Sequence, residues 1–181
     1  MYLMSRVRLV PIVLIAIVAL AVLFGGWQAY QHFNLLGPLK KNLQQVEGVQ
    51  TVDILTGSPD VVQVQLGPFS KLKNGDLQQT YDDITSQVSS KLGTGVTLQL
   101  SDDRSGTLAQ ALENFNPVLL EGVTKGNYTE MISQVTHMAK SQGINCRVTM
   151  DTQYIYIQLA KGGHYLYKVM PYSTHQGGAA S

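Results

Sequence analysis

The stretch VQTVDILTGSPDVVQVQLG, residues 49–67, decides the fold of the first half of this chain. Two runs rich in β-branched residues flank TGSPD, whose glycine, serine, proline and aspartate favour a turn. In the second run, valine and leucine alternate with Gln63 and Gln65. Because successive side chains of a strand point to opposite faces, this alternation predicts a strand with one buried and one polar face.

Helical patterns flank these two strands. Upstream, Pro38 opens a short run with apolar residues at helical spacing, and Gly48 stands where a helix ends. Downstream, residues 73–93 carry an apolar stripe at spacings of four and three, formed by Leu77, Tyr81, Ile84, Val88 and Leu92. GVTLQL, residues 95–100, has the alternation of a third strand. Residues 38–103 are therefore expected to form an α-β-β-α-β module.

The second half of the chain has more helix. SGTLAQALENFNPVLLEGVTKG is expected to be a helical connector that Pro117 kinks or splits. NYTEMISQVTHMAKSQG is a better helix, in which Asn127 and Glu130 have the spacing of a capping box. Three strands follow, INCRVTM, YIYIQL and HYLYKVM, and the AKGG loop between the last two is typical of a hairpin. Residues 104–172 are thus predicted to be a helical connector plus an α-β-β-β module.

Ahead of both modules, RVRLVPIVLIAIVALAVLFGGWQAYQ carries no charge after Arg8. Since a helix rises about 1.5 Å per residue, residues 9–27 cover roughly the ~30 Å hydrocarbon core of a bilayer. Arg6 and Arg8 precede this run, which favours a cytoplasmic N-terminus. The sequence therefore predicts a cytoplasmic segment at 1–8, a transmembrane helix at 9–27 and a linker at 28–37, with the remaining residues outside the cytoplasm.

A cleaved secretion signal is the rival interpretation of the same segment. Signal peptides have an apolar run of about 7–15 residues that ends at a small-x-small site. The Ala-x-Ala in this segment is Ala19-Leu20-Ala21, and the apolar VLF follows it directly. The length of the run and the position of that site favour retention as a signal-anchor in the cell membrane.

Composition limits the classes of function. Charged residues make up 14% of the chain, against roughly a quarter in typical domains, and no basic run stands out, so nucleic acid is not expected as a partner. Cys146 is the single cysteine, which rules out an intramolecular disulfide and a cysteine-based zinc site. It alternates with Val148 and Met150, the pattern of a small buried residue. The tail at 173–181 is predicted to be disordered.

No constellation in the sequence predicts catalysis, a cofactor or a metal. Asp82-Asp83 and Asp102-Asp103 are adjacent pairs; neighbours on a helix point about 100° apart, and both pairs are expected to be solvated structural residues. The four histidines, none with a metal ligand four residues away, are His32, His137, His164 and His175. HExxH, GxSxG, Walker-type and CxxC motifs are absent. The chain is therefore predicted not to be an enzyme.

Four tyrosines in the last two strands form the candidate interaction surface. If the AKGG loop places Leu159 opposite His164, Tyr156 lies opposite Tyr167. Alternation then puts four rings on one face: Tyr154, Tyr156, Tyr165 and Tyr167. Aromatic residues on a solvent face are enriched at interfaces, so this face is predicted to bind a partner. Two alternatives stay open, namely a cross-strand ladder that only stiffens the sheet and a second buried face.

The α-β-β-α-β order of residues 38–101, placed after a single N-terminal anchor, resembles ring-building-motif domains. Those domains occur in anchored proteins of bacterial secretion and sporulation channels. The order is also similar in outline to the α-β-β repeats of pilus inner-membrane assembly proteins. The resemblance is one of architecture, and no sequence motif of either family is matched, so it assigns no role to any residue.

Together these features predict a single-pass, non-enzymatic membrane protein of the bacterial cell envelope. Its extracytoplasmic part is expected to be α+β, with one or two small α-β-β type modules and antiparallel or mixed sheets. It would act in assembly or protein interaction, with a second copy or an envelope protein as its partner. The first alternative is an anchored module that binds a ligand or a cell-envelope polymer by stacking tyrosines on sugars. A hydrolase whose acids meet only in the fold is the more distant alternative.

Overall fold

A computed structural model describes residues 9–30 and 36–172 of the chain. The segment at 1–8, residues 31–35 of the predicted linker at 28–37 and the tail at 173–181 lie outside the described residues, as do His32 and His175. Within these ranges the chain is α+β, with five helices and two sheets of three strands each. The predicted fold class is confirmed at that level.

The first helix, α1, spans Leu9–Tyr30. Its side chains are described for residues 13–26, and the large apolar ones between Val13 and Phe24 are exposed. In the part of the chain that the structure describes with its side chains, no helix is both long enough and apolar enough to cross a membrane.

Sheet A and its helices occupy the first half of the chain. The elements are α2 (Gly37–Leu43), β1 (Val49–Leu55), β2 (Val61–Leu66), α3 (Leu77–Leu92) and β3 (Thr97–Ser101). The strands lie in the order β1-β2-β3, with β1 and β2 antiparallel and β2 and β3 parallel. The short turn at TGSPD permits the antiparallel pair, whereas the parallel pair needs a long crossover, which α3 supplies. The predicted element order is confirmed.

Helix α3 covers the apolar face of sheet A. Its start is fixed by Asp76, whose side chain accepts a hydrogen bond from the backbone N–H of Gln78. Leu77, Ile84 and Val88 are buried on one stripe, as their spacing predicts. They belong to one apolar cluster with the inward residues of β2, while Gln63 and Gln99 lie exposed on the other face and hydrogen-bond to each other.

Sheet B and two helices form the second half. The elements are α4 (Gly106–Lys125), α5 (Tyr128–Ser141), β4 (Asn145–Met150), β5 (Tyr154–Lys161) and β6 (His164–Pro171), and the strands form an antiparallel meander in the order β4-β5-β6. Helices α4 and α5 pack on each other and on one face of this sheet. Their close approach depends on Gly122, where a Cβ atom would lie 2.5 Å from the Cβ atom of Met131.

The sequence predicts a kink or a split at Pro117, and the split does not occur. Helix α4 continues through Pro117 without a break. The proline lies on the exposed side of α4, between the buried Phe115 and Leu119. The carbonyl left unbonded four residues earlier, at the exposed Glu113, therefore faces water, which removes most of the cost of the missing hydrogen bond.

Candidate functional site

The four tyrosines share one face of the β5–β6 hairpin, as the sequence predicts, but in a different register. Lys161 pairs with His164, so Tyr156 lies opposite Val169 and not opposite Tyr167. The turn consists of Gly162 and Gly163, both with positive φ (61° and 86°), which is the geometry of a tight two-residue hairpin. A register shift of two residues keeps every side chain on its face, so the shared face is unaffected.

The prediction that this tyrosine face meets solvent is wrong. Tyr156, Tyr165 and Tyr167 are only 1%, 7% and 4% exposed, and Tyr154 is half-buried. The rings pack into the apolar cluster of the first half of the chain, so both faces of sheet B are covered. Of the interpretations open at the sequence level, the second buried face is the one observed.

Polar bonds fix this internal interface. The Tyr167 hydroxyl donates across it to the backbone oxygen of Gly67 at 2.6 Å, whereas the Tyr156 hydroxyl donates at 2.6 Å to Oδ2 of Asp151, in the turn between β4 and β5 of sheet B itself. The fully buried Gln158 accepts from the N–H of Leu77 at 2.9 Å and donates to the oxygen of Gly75 at 3.2 Å. The N-terminus of α3 is therefore seated on sheet B by hydrogen bonds as well as by apolar packing.

The same burial changes the acidity of the phenols. Burial raises the pKa of Tyr81 on α3 to about 12, and the nearby Tyr154 adds to the effect. Burial also raises the pKa values of Tyr156 and Tyr167 above the usual range, with the hydrogen bond to Asp151 contributing for Tyr156. All three groups are consequently neutral at physiological pH.

A two-residue bridge joins the end of β3 to the outer edge of β6. The oxygen of Asp103 accepts from the N–H of Tyr165 at 3.1 Å, and Asp102 Oδ2 accepts from the N–H of Tyr167 at 2.9 Å. Asp102 also binds Arg104 through both carboxylate oxygens, at 2.7 and 3.1 Å. Its side chain is 1% exposed, so the expectation of a solvated residue is wrong for Asp102.

Asp103, the other half of that pair, is exposed as expected. Its Oδ2 atom lies 3.1 Å from Nδ1 of His164 at the start of β6. The bridge therefore has one buried carboxylate and one solvated carboxylate, and each makes a different contact with β6.

Beyond this bridge the edges of β3 and β6 border an open groove, here called the edge groove, of about 380 Å³. Its lining includes apolar residues of β3, rings of sheet B and two cations: Leu98, Leu100, Tyr154, Tyr167, Val169, Pro171, Arg104 and Lys168. In the part of the chain that the structure describes, no strand pairing joins β3 to β6 along this groove. The outer edge of β3 is thus unpaired, with β6 across the groove from it.

The backbone of β3 presents a regular set of hydrogen-bonding groups to the groove side. The N–H of Thr97 bonds inward to the oxygen of Asp60, ahead of β2. In a parallel ladder the direction of these groups alternates along the strand, so Thr97, Gln99 and Ser101 bond towards β2. Leu98 and Leu100 therefore direct their N–H and C=O groups away from the sheet.

A second depression, the hydroxyl groove, lies beside the first and shares Tyr81, Leu98 and Tyr154 with it. It measures about 630 Å³, and its polar lining consists of Asp82, Thr85, Ser86, Ser89, Thr94 and Gln153. Partial burial raises the pKa of Asp82, and the charge of Asp151 adds to this. Asp83 does not join Asp82, because it binds Lys73 at 2.7 Å.

The other residues singled out in the sequence lie in surroundings typical of residues that maintain the fold. Cys146 is half-buried in the cluster beneath α4 and α5, and burial raises the pKa of its thiol to about 11, which keeps it protonated. His137 is exposed on α5. The predicted capping box is wrong, since Asn127 makes no side-chain cap and Glu130 binds Gln134 instead. Among the described residues, no three acidic, histidine or cysteine side chains gather as a metal site would require.

Comparison with known proteins adds no relative: the chain matches no family model, no curated protein and no solved structure. The candidate site is therefore supported by its geometry alone. Sequence reasoning missed the open edge of β3 and the buried Asp102. A signal for the edge was present in TLQLS, residues 97–101, which has strand alternation and no charge.

Proposed function

We propose that this protein is a membrane-anchored, non-enzymatic assembly or protein-interaction module of the cell envelope. The apolar composition of residues 9–27 and the exposure of the apolar side chains from Val13 to Phe24 support the anchor. Arg6 and Arg8 ahead of this run support a cytoplasmic N-terminus and an extracytoplasmic domain at 36–172.

The outer edge of β3 is the binding site in this proposal. An extended segment of a partner would add to sheet A as a further strand, bonding to the outward N–H and C=O groups of Leu98 and Leu100. Side chains of that segment would enter the edge groove on one side and the hydroxyl groove on the other. The single observation that carries the proposal is an open strand edge bordered by two grooves.

The other three strand edges carry features that oppose strand addition. β1 carries Asp53, which pairs with Lys40, and β4 carries Arg147, which pairs with Asp76. β6 has Lys168 and Pro171 and is also occupied by the Asp102–Asp103 bridge. Charges, prolines and covered edges are the usual protection against unwanted pairing. β3, with the sequence TLQLS, has no charge and no proline, which supports its use as a binding edge.

The order α2-β1-β2-α3-β3 gives further support by analogy, because ring-building-motif domains of anchored channel proteins have the same α-β-β-α-β order. Such an analogy bears on the class of role and assigns no residue. The shared order of elements agrees with an assembly role for an anchored chain.

The hydroxyl groove favours a second candidate function, the binding of a cell-envelope polymer such as a glycan. The rings of Tyr81 and Tyr154 lie 5.6 Å apart at its wall and would stack on sugar faces. Hydroxyl groups and Asp82 would bond to sugar hydroxyls. Retention of the full chain on a purified cell-wall polymer, abolished by Tyr154→Ala, would favour this function over strand addition.

A photo-cross-linking experiment tests the main proposal. The photoreactive residue p-benzoylphenylalanine is placed at Thr97 on β3 or, as a matched control, at Thr51 on the opposite edge strand of the same sheet; both threonines are exposed. Irradiation of cells expressing the full chain should give a discrete protein adduct from position 97 and none from position 51. Absence of any adduct from position 97, or equal adducts from both positions, would refute the proposed site.

A further inference from the structure

We infer that a polar groove between α2 and α3 binds a short peptide, about three residues long, whose ammonium and carboxylate ends are both free. The groove, here called the amide groove, measures about 440 Å³, which is within the range of small-molecule sites. It shares no lining residue with the edge groove or the hydroxyl groove. The amide groove is therefore a second site, and binding there is independent of strand addition to β3.

One wall of the amide groove is formed by α3. Asp83, Gln87 and Lys91 follow one another at spacings of four residues, so they lie in a row along the helix. Since each residue of a helix rises about 1.5 Å, the row covers about 12 Å from Asp83 to Lys91. The buried Ile84 and Val88 lie on the neighbouring face of α3, which leaves this row available to a ligand.

The other wall comes from α2 and the residues that follow it. Asn42, Gln45 and Glu47 line the groove with exposed polar side chains. Leu39 and Val46 also line it and are almost fully buried, at 1% and 8% exposure. Polar walls with a small apolar base suit a ligand that has many backbone hydrogen-bonding groups and small side chains.

The two ends of the amide groove carry opposite charge. At one end Lys73 binds Asp83 at 2.7 Å; this bond raises the pKa of Lys73, and the charge of Glu47 adds to the effect. Two carboxylates thus face one ammonium group there. At the other end Lys91 makes no ion pair within the described part of the chain. A ligand ammonium group is therefore favoured beside Glu47, and a ligand carboxylate beside Lys91.

Three carboxamide side chains line the groove that joins these ends. Gln87 Oε1 is buried and accepts no hydrogen bond from the described residues, which is uncommon for a buried polar atom. A bound peptide would supply an N–H donor to this oxygen. The exposed amides of Asn42 and Gln45 have N–H donors for the carbonyl groups of the same peptide.

The separation of the charges sets the length of the ligand. An extended chain advances about 3.3–3.6 Å per residue, so three residues span about 10 Å between their ends. This length matches the row from Asp83 to Lys91, whereas a single amino acid reaches only one of the two charged ends. Recognition of both free ends across that span distinguishes a peptide from a smaller zwitterion.

Saturation-transfer NMR of trialanine with the full chain in detergent micelles tests the assignment. A ligand of this size should bind with a dissociation constant on the order of 0.1–1 mM. Acetylation of the ammonium end or amidation of the carboxylate end should each weaken binding about three- to fivefold, the usual value of an exposed ion pair. Glycine, which has both charges without the length, should bind about tenfold more weakly. Trialanine that binds no tighter than glycine, or that shows no saturable binding, would overturn the assignment.

Variants assign the carboxylate end. Lys91→Gln should weaken trialanine binding about three- to fivefold and leave the affinity for trialanine amide unchanged, because that ligand lacks the carboxylate. Lys41→Gln is the matched control, since Lys41 is an exposed lysine of α2 that does not line the groove. Both lysines are exposed, so both variants should fold. Equal affinities of the two variants for trialanine would overturn the assignment.

The buried amide oxygen has its own test. Gln87→Leu keeps a side chain of similar size and removes the acceptor, so it should weaken the binding of trialanine and of trialanine amide alike, by about fivefold. Unchanged affinity of a folded Gln87→Leu variant for both ligands would show that the peptide does not contact this oxygen, and would overturn the proposed position of the ligand.

Discussion

Sheet A and sheet B have three strands each, but the chain encloses them to different extents. Sheet B is covered by α4 and α5 on one face and by the first half of the chain on the other, and its outer strand β6 is held by the Asp102–Asp103 bridge. Sheet A has one covered face, a polar face with Gln63 and Gln99, and an open edge at β3. The difference separates a sheet that is covered on both faces from a sheet with an exposed face and an unpaired edge.

The largest expected effect comes from the tyrosine face. Tyr156→Ser with Tyr167→Ser removes two buried rings, and each large buried ring is worth about 3–5 kcal/mol of stability. Their combined loss is comparable with the whole stability of a domain, about 5–15 kcal/mol, so the double variant of residues 36–172 should be unfolded at 25 °C by circular dichroism. Tyr167→Phe keeps the ring and loses only the bond to Gly67, so it should fold and lose about 1–2 kcal/mol. A folded double variant would show that sheet B is not the stabilising region.

The next largest effect on stability is expected at two neighbouring residues that lie on opposite faces of sheet A. Val64 is fully buried and Gln63 is exposed. Val64→Asp buries an unpaired carboxylate, which costs several kcal/mol, whereas Gln63→Asp loses only a surface bond to Gln99 and should change stability by less than about 1 kcal/mol. Urea unfolding of both variants measures the difference. Equal losses would mean that the polar face of sheet A is covered.

A smaller effect is expected where α4 meets α5. Gly122→Ala forces a Cβ atom into Met131 and should cost about 1–3 kcal/mol through overpacking. Gly106→Ala at the start of the same helix has open space around the new methyl group and should be neutral or slightly stabilising. Thermal unfolding of the two variants gives the comparison. A neutral Gly122→Ala would indicate a looser contact of the two helices.

The last effect is seen only at alkaline pH. The pKa of Tyr81 is raised from its ordinary value of 10 to about 12 in the folded chain, so folding favours its protonated form. That stabilisation is complete below pH 10 and is lost as pH rises towards 12, because the unfolded chain releases the proton first. Tyr156 and Tyr167 act in the same direction. The free energy of unfolding should therefore fall above pH 10, and less steeply in Tyr81→Phe; a pH-independent value between 10 and 12 would contradict the buried phenols.

Local periodicity was sufficient to predict most of the elements. The alternation around Gln63 and the stripe of α3 gave strands and a helix at the observed places, because each pattern involves residues close together in the sequence. The shared face of the four tyrosines followed from strand alternation alone and did not depend on the exact register.

The buried tyrosines, the buried Asp102 and the open edge of β3 depend on residues distant in sequence. Tyr167 is buried by Gly67, a hundred residues away, and no local pattern distinguishes a face covered by another part of the chain from a face that meets solvent. Asp102 is buried where it accepts from the N–H of Tyr167 on β6, 65 residues away. The open edge of β3 likewise depends on which strands pair with which, and strand order is not encoded in any single strand.

Binding of an extended strand to the outer edge of β3 can be tested by removing one outward N–H group from that edge. Leu100→Pro removes that group without removing a bond to β2, whereas Leu100→Ala loses the side chain and keeps the N–H. The measurement is the yield of the photo-adduct from p-benzoylphenylalanine at Thr97 in each background. We expect the adduct to be retained with Leu100→Ala and its yield to fall at least tenfold with Leu100→Pro, while both variants remain folded by circular dichroism. Equal adduct yields from the two folded variants would contradict it.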